Sequence, residues 1–170
     1  TRDTVDESLK WRLEDIYETD EAWERDFDEA RGLVDAFLAY RGRLGESADA
    51  LFAGLAAQSR ADEVIERLFT YAHMRKDEDN ANTKYQGMTD RAMQLSTDAA
   101  AKGSFAVPEI LSIDPDTLRA WAAEERFYPF RFGLLDLDRD VLRGQRFGVA
   151  AVLEAGRVAG RQVQFVEGHA

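Results

Sequence analysis

The groups that could do chemistry in this chain are two histidines, two short acidic runs and a scatter of serines. His73 and His169 are the only imidazoles in the 170 residues. Neither has a second histidine one helical turn away, the spacing that points two ligands from one helix face at a metal. His73 alone could serve as a ligand or an acid/base group, but a lone histidine in a helical stretch reads as a surface or partly buried residue. Asp77, Glu78 and Asp79 could attract a cation, yet at the end of a helical pattern they read as a solvated turn. Asp136, Asp138 and Asp140 alternate as in a calcium loop. That loop needs Gly at its sixth position and Glu at its twelfth, where this sequence has Val141 and Phe147. Ser47, Ser59, Ser96, Ser104 and Ser112 lack a Gly-x-Ser-x-Gly setting. No glycine-rich phosphate cradle is present. With no cysteine there is neither a disulfide framework nor a thiolate nucleophile or zinc ligand. Residue by residue, the catalytic, cofactor-binding and metal assignments are therefore none.

Bulk properties narrow the class of protein further. Apolar residues make up 45% of the chain and charged residues 32%, the balance of a soluble globular domain. No stretch approaches the roughly 20 apolar residues of a membrane helix. The opening Thr1-Arg2-Asp3-Thr4-Val5-Asp6-Glu7 is acidic and polar, unlike a secretory signal, so a cytoplasmic protein is expected. A net charge of −11 disfavours nucleic acid, whose phosphates are bound by Lys and Arg displacing counterions.

The elements that would have to position any site are helical up to about residue 130. Asp20 is read as capping a helix with Trp23, Phe27, Ala30, Leu33, Val34, Phe37 and Leu38 at spacings of three and four. Gly42 and Gly45 interrupt it, and Ser47 restarts a helix as N-cap. That second stretch carries Leu51, Phe52, Leu55, Val64, Ile65, Leu68, Phe69 and Ala72, with a break expected near Gln58-Ser59-Arg60. A third helix runs from about Asn82 to Ala101, with Tyr85, Met88, Ala92, Met93 and Leu95 inward. Pro108-Glu109 reads as a helix start, and Asp116 as the cap of a helix through Leu118 and Trp121. Strand-like alternation is missing. The expected fold is all-α, an antiparallel array of long amphipathic helices.

The last 40 residues differ in character. They hold six of the twelve glycines, and six arginines against five acids, a net charge of about +1 compared with about −12 for residues 1–130. The division expected is a helical lobe over 1–130 and a divergent tail over 131–170. The tail reads either as a small glycine-containing helical or β extension, or as a frame-shifted or fused end.

Leu68-Phe69-Thr70-Tyr71-Ala72-His73-Met74-Arg75-Lys76-Asp77-Glu78-Asp79-Asn80 resembles a signature stretch of the oligoendopeptidase F family. Tyr85-Gln86-Gly87-Met88-Thr89-Asp90-Arg91-Ala92 and Ser104-Phe105-Ala106-Val107-Pro108-Glu109-Ile110-Leu111 continue the resemblance. Upstream, Trp11-Arg12-Leu13-Glu14-Asp15-Ile16-Tyr17 and Asp20-Glu21-Ala22-Trp23 resemble the opening of the same family. Over roughly residues 9–125 the fragments come in the family's order. The resemblance implies an N-terminal helical lobe; as large aromatics, Trp11 and Tyr17 are expected to anchor the N-terminal arm on the helices by burying their rings. It also implies a zinc peptidase acting on oligopeptides, in which His-Glu-x-x-His holds the metal and supplies the general base. That motif does not occur in this sequence, so no metal ligand can be carried over. A chain truncated before the catalytic domain, and inactive alone, is the expectation. After Phe130 the sequence departs from the family pattern. The other reading is a stand-alone helical module that binds peptides or proteins. Self-association through an exposed apolar face would accompany either.

Overall fold

The computed structural model describes residue 6 and residues 10–142, with side chains through residue 137. Most of the expected tail lies outside the described residues. Every regular element among the described residues is helical: α1 Asp20–Leu38, α2 Ala48–Glu78, α3 Thr83–Gly103, α4 Ala106–Leu111, α5 Pro115–Ala123 and α6 Arg131–Leu142. Short 3-10 turns over Leu13–Asp15 and Glu125–Phe127 precede α1 and α6.

The helix starts follow from local hydrogen-bond chemistry. Ser47 caps α2 by accepting from the Ala50 N–H at 3.1 Å, and Asn82 accepts from the Lys84 N–H at the head of α3. The caps of α1 and α5 fall one and two residues before the expected ones. Thr19 accepts from the Ala22 N–H, and Asp114 accepts from the Thr117 N–H, with Pro115 at the first helical position. Each satisfies an N–H that has no partner inside the helix. α4 begins at Ala106, so Pro108 sits in its first turn, where a missing N–H breaks no helical bond. The break expected at Gln58-Ser59-Arg60 does not occur: α2 runs unbroken for 31 residues. No Pro or Gly lies between Leu55 and Glu78, and Ala61 continues the buried stripe begun by Leu51 and Leu55.

α1, α2 and α3 pack as an up–down–up layer. Ion pairs from Glu24 to Arg91 and from Asp35 to Lys102 place α1 and α3 parallel, and both run antiparallel to α2. One apolar cluster joins Leu13, Tyr17, Trp23, Phe27, Leu68, Tyr71, Met88 and Leu95 across this layer. A second gathers Phe37, Leu44, Leu51, Leu55, Ile110, Leu118, Phe127, Leu134 and Leu137 around the other end of α2. Between α1 and α2 the chain reverses through Gly42, whose φ of 79° is left-handed and costs glycine little. The Glu109 carboxylate accepts from the Gly42 N–H at 2.6 Å and from the Leu44 N–H at 3.4 Å, tying α4 to that turn. Arg131 donates from Nε to the Ala122 carbonyl at 2.8 Å and from its guanidinium to Ala123 and Glu124, which satisfies the end of α5. Two expectations about burial fail. Trp11 is 75% exposed and Met93 is 52% exposed, whereas Tyr17 does anchor the arm at 5% exposure.

Candidate functional site

The densest polar arrangement straps the N-terminal arm and α1 to α2 and α3. Asp20 accepts from Tyr71 Oη at 2.7 Å and from Tyr85 Oη at 3.2 Å, and Lys84 Nζ lies 2.6 Å from the same carboxylate. Two turns along, Asp26 accepts from Tyr17 Oη at 2.9 Å and from Arg67 at 2.5 Å. Arg75 reaches Glu14 and Glu78, and its guanidinium lies over the Tyr71 ring. The Tyr17 and Tyr71 rings meet edge to face at 5.4 Å. Burial pushes both phenols up to about 12. Partial burial of Asp20 opposes its ionisation, but the hydrogen bonds from Lys84 and Tyr71 outweigh it and hold the carboxyl below its usual range. These groups therefore keep one protonation state through neutral pH, and the cluster holds helices together rather than moving protons.

His73 faces elsewhere. Its ring stacks on Phe69 at 5.3 Å, and its Nε2 lies 3.5 Å from Asp77 Oδ2 one turn on. Its Nδ1 is buried without a hydrogen-bond partner among the described residues. One imidazole and one carboxylate fall short of the three or four ligands a zinc ion takes. No group of three or more His, Cys, Asp or Glu side chains among the described residues could hold a metal ion, so those residues do not fit zinc. Ser47 is spent as a helix cap, and Ser104 and Ser112 donate to carbonyls three residues back. Asp136 lies on α6, and the side chains of Asp138 and Asp140 lie outside the described residues.

A furrow of about 420 Å³ runs between α2 and α3, floored by Val34 and Phe37 of α1. Ala61, Ile65 and Phe69 form one wall, Met93, Ser96, Ala100 and Gly103 the other, and Asp62 and Glu66 edge it. Sequence reasoning missed this feature. Small residues on α3 opposite Ala61 were its only signal, and they read equally well as ordinary helix.

The class defined by this architecture is a helical scaffold with no reactive constellation among its described residues. No family model matches the chain, and no solved structure matches it. Curated relatives do. Oligopeptidase PepF of Bacillus subtilis is 45% identical over 115 residues, 68% of this chain and 17% of that protein. The plasmid-encoded oligoendopeptidase F of Lactococcus lactis subsp. cremoris is 29% identical over 72% of this chain and 21% of its own length. Group B oligopeptidase PepB of Streptococcus agalactiae is 26% identical over 72% of this chain and 20% of its own length. Over the matched stretch, the chain is a homologue of the oligoendopeptidase F family. It spans about a fifth of the length of the curated relatives it matches. Among the described residues no helix is long and apolar enough to cross a membrane.

Proposed function

We propose that this chain is a helical lobe of an oligoendopeptidase F-type enzyme that hydrolyses oligopeptides. The lobe forms one wall of the space that admits short unfolded peptides, while zinc and the reactive residues belong to sequence outside these 170 residues. The observation that supports this reading is 45% identity to an oligopeptidase over 68% of the chain. The polar clusters around Asp20, Asp26 and Arg75 brace helices against one another, as a scaffolding lobe requires. A wall of this kind selects by size and by backbone contacts, and peptide-bond cleavage depends on the part that carries His-Glu-x-x-His. The test is an assay of the purified chain with a fluorogenic oligopeptide, with zinc and with a chelator. No turnover is expected under either condition. Zinc-stimulated, chelator-sensitive cleavage by these 170 residues would overturn the division of labour.

A further inference from the structure

We propose that α4, α5 and α6 form a leaf that opens from the α1–α3 layer as one unit, latched by Glu109 on the α1–α2 turn. The seam is visible in how the core divides. The two apolar clusters share no residue. Along α2, Leu51 and Leu55 belong to the second cluster, and from Ala61 onward the buried residues belong to the first. Among the described residues, α3 places Met88, Ala92 and Leu95 in the first cluster and none in the second. In the second cluster the layer supplies Phe37, Leu44, Leu51 and Leu55. The leaf brings its own apolar side chains to that cluster, among them Ile110, Leu118, Phe127 and Leu134.

Helix length sets which side yields first. α4, α5 and α6 have 6, 9 and 12 residues, at or below the roughly 12–15 at which an isolated helix is marginal in water. α1, α2 and α3 have 19, 31 and 21. The leaf's helices therefore depend on tertiary contacts, and such segments open at lower free energy than a long-helix core. The chain enters the leaf through Ser104 and Phe105, so the leaf can lift away with α3 intact. Apolar contacts close it: Phe105 stacks on Phe37 at 5.1 Å, and Phe52 meets Phe127 and Phe130 edge to face at 5.5 and 6.1 Å. Arg126 also pairs with Asp49, but Asp49 is 85% exposed and such a pair contributes little. Glu109 is different. Its half-buried carboxylate bridges the Gly42 and Leu44 N–H groups of the reversal, and bonds from an ionised acceptor are the stronger kind. Opening the leaf breaks both and bares Phe37, Leu51 and Leu55.

The experiment is hydrogen exchange of the 170-residue chain, followed by mass spectrometry. Amides over residues 116–134 should show protection factors about tenfold or more below those over 23–34 and 88–95. Ile65→Val and, separately, Ala92→Gly weaken the first cluster mildly. Each should lower protection over 23–34 and 88–95 by about three- to fivefold. Protection over 116–134 should stay within about 1.5-fold of the unmodified chain, because the leaf opens while the layer stays folded. Glu109→Ala should lower protection over 116–134 by about threefold or more. Circular dichroism confirms that each variant is folded. Equal protection of leaf and layer in the unmodified chain would overturn the proposal. So would parallel losses in both from Ile65→Val and Ala92→Gly, the mark of a single cooperative unit. Unchanged protection over 116–134 in Glu109→Ala would overturn the latch. None of these readouts depends on peptidase activity.

Discussion

The indole N–H of Trp23 donates to the main-chain carbonyl of Leu68 at 2.8 Å, in a bond buried between α1 and α2. The indole itself is fully buried, stacks on Phe27 at 5.1 Å, and is roofed by Arg91, which also grips Glu24 with two hydrogen bonds of 2.7 Å. One side chain thus joins three helices. Trp23→Ala should cost about 3–5 kcal/mol of stability through lost burial and a cavity. Trp23→Phe should cost less, about 1–3 kcal/mol, because the apolar bulk largely stays and only one polar contact goes. Urea denaturation of the two variants checks both magnitudes and their order.

Stability should fall at both pH extremes for identifiable reasons. The Asp20 carboxyl is held below its ordinary 3.8, so its contribution is present above that value and lost as pH falls through the lower folded one. Asp20→Asn should flatten the acid limb of a stability–pH curve. Tyr17 and Tyr71 move from 10.0 to about 12. The unfolded phenols release their protons first, so stability is intact below pH 10 and declines as pH rises toward 12. Tyr17→Phe/Tyr71→Phe should shallow that alkaline slope, with burial of Tyr85 keeping part of it, while lowering stability at neutral pH through lost hydrogen bonds.

Gly54 lies buried in α2, where a methyl group would overlap the side chain of Leu44 and touch Tyr40 at 3.4 Å. Helix propensity alone favours alanine over glycine by about 1 kcal/mol. Leu44 is fully buried in the second apolar cluster and has little room to yield. Gly54→Ala should therefore destabilise by about 1–3 kcal/mol through overpacking. A raised melting temperature would show that Leu44 can repack.

Much of the fold was legible because long helices advertise themselves. Trp23, Phe27, Ala30, Val34 and Phe37 recur at three and four and are all buried, and Ser47 announces α2 as read. Less visible were choices settled by distant partners. Thr19 and Asp20 are both competent caps, and only the structure shows Thr19 capping while Asp20 bonds to Tyr71 and Tyr85, 51 and 65 positions on. Met93 sits next to inward-facing Ala92 and so looked buried, yet it falls on the furrow side. Trp11 is apolar enough to anchor the arm, but Leu13 and Tyr17 take the buried places. The furrow was illegible because it depends on how two helices separate, not on what either contains.

The division proposed at residue 130 is open to a two-step truncation. α6 buries Leu134 and Leu137, and Arg131 satisfies the end of α5. Removing residues 131–170 should lower the thermal transition by about 5 °C or more relative to removing 143–170 alone. Equal effects from the two truncations would mean that α6 adds nothing to the core.

On the proposed reading, these residues belong to an oligopeptidase whose chemistry lies elsewhere in its sequence. The most direct measurement is to read the coding DNA from the codon of Ala120 to well beyond that of Ala170 and translate all three frames. A frame that continues in family-like sequence and contains His-Glu-x-x-His is expected. A downstream sequence without that motif in any frame would contradict it and leave a helical binding module as the function of the chain.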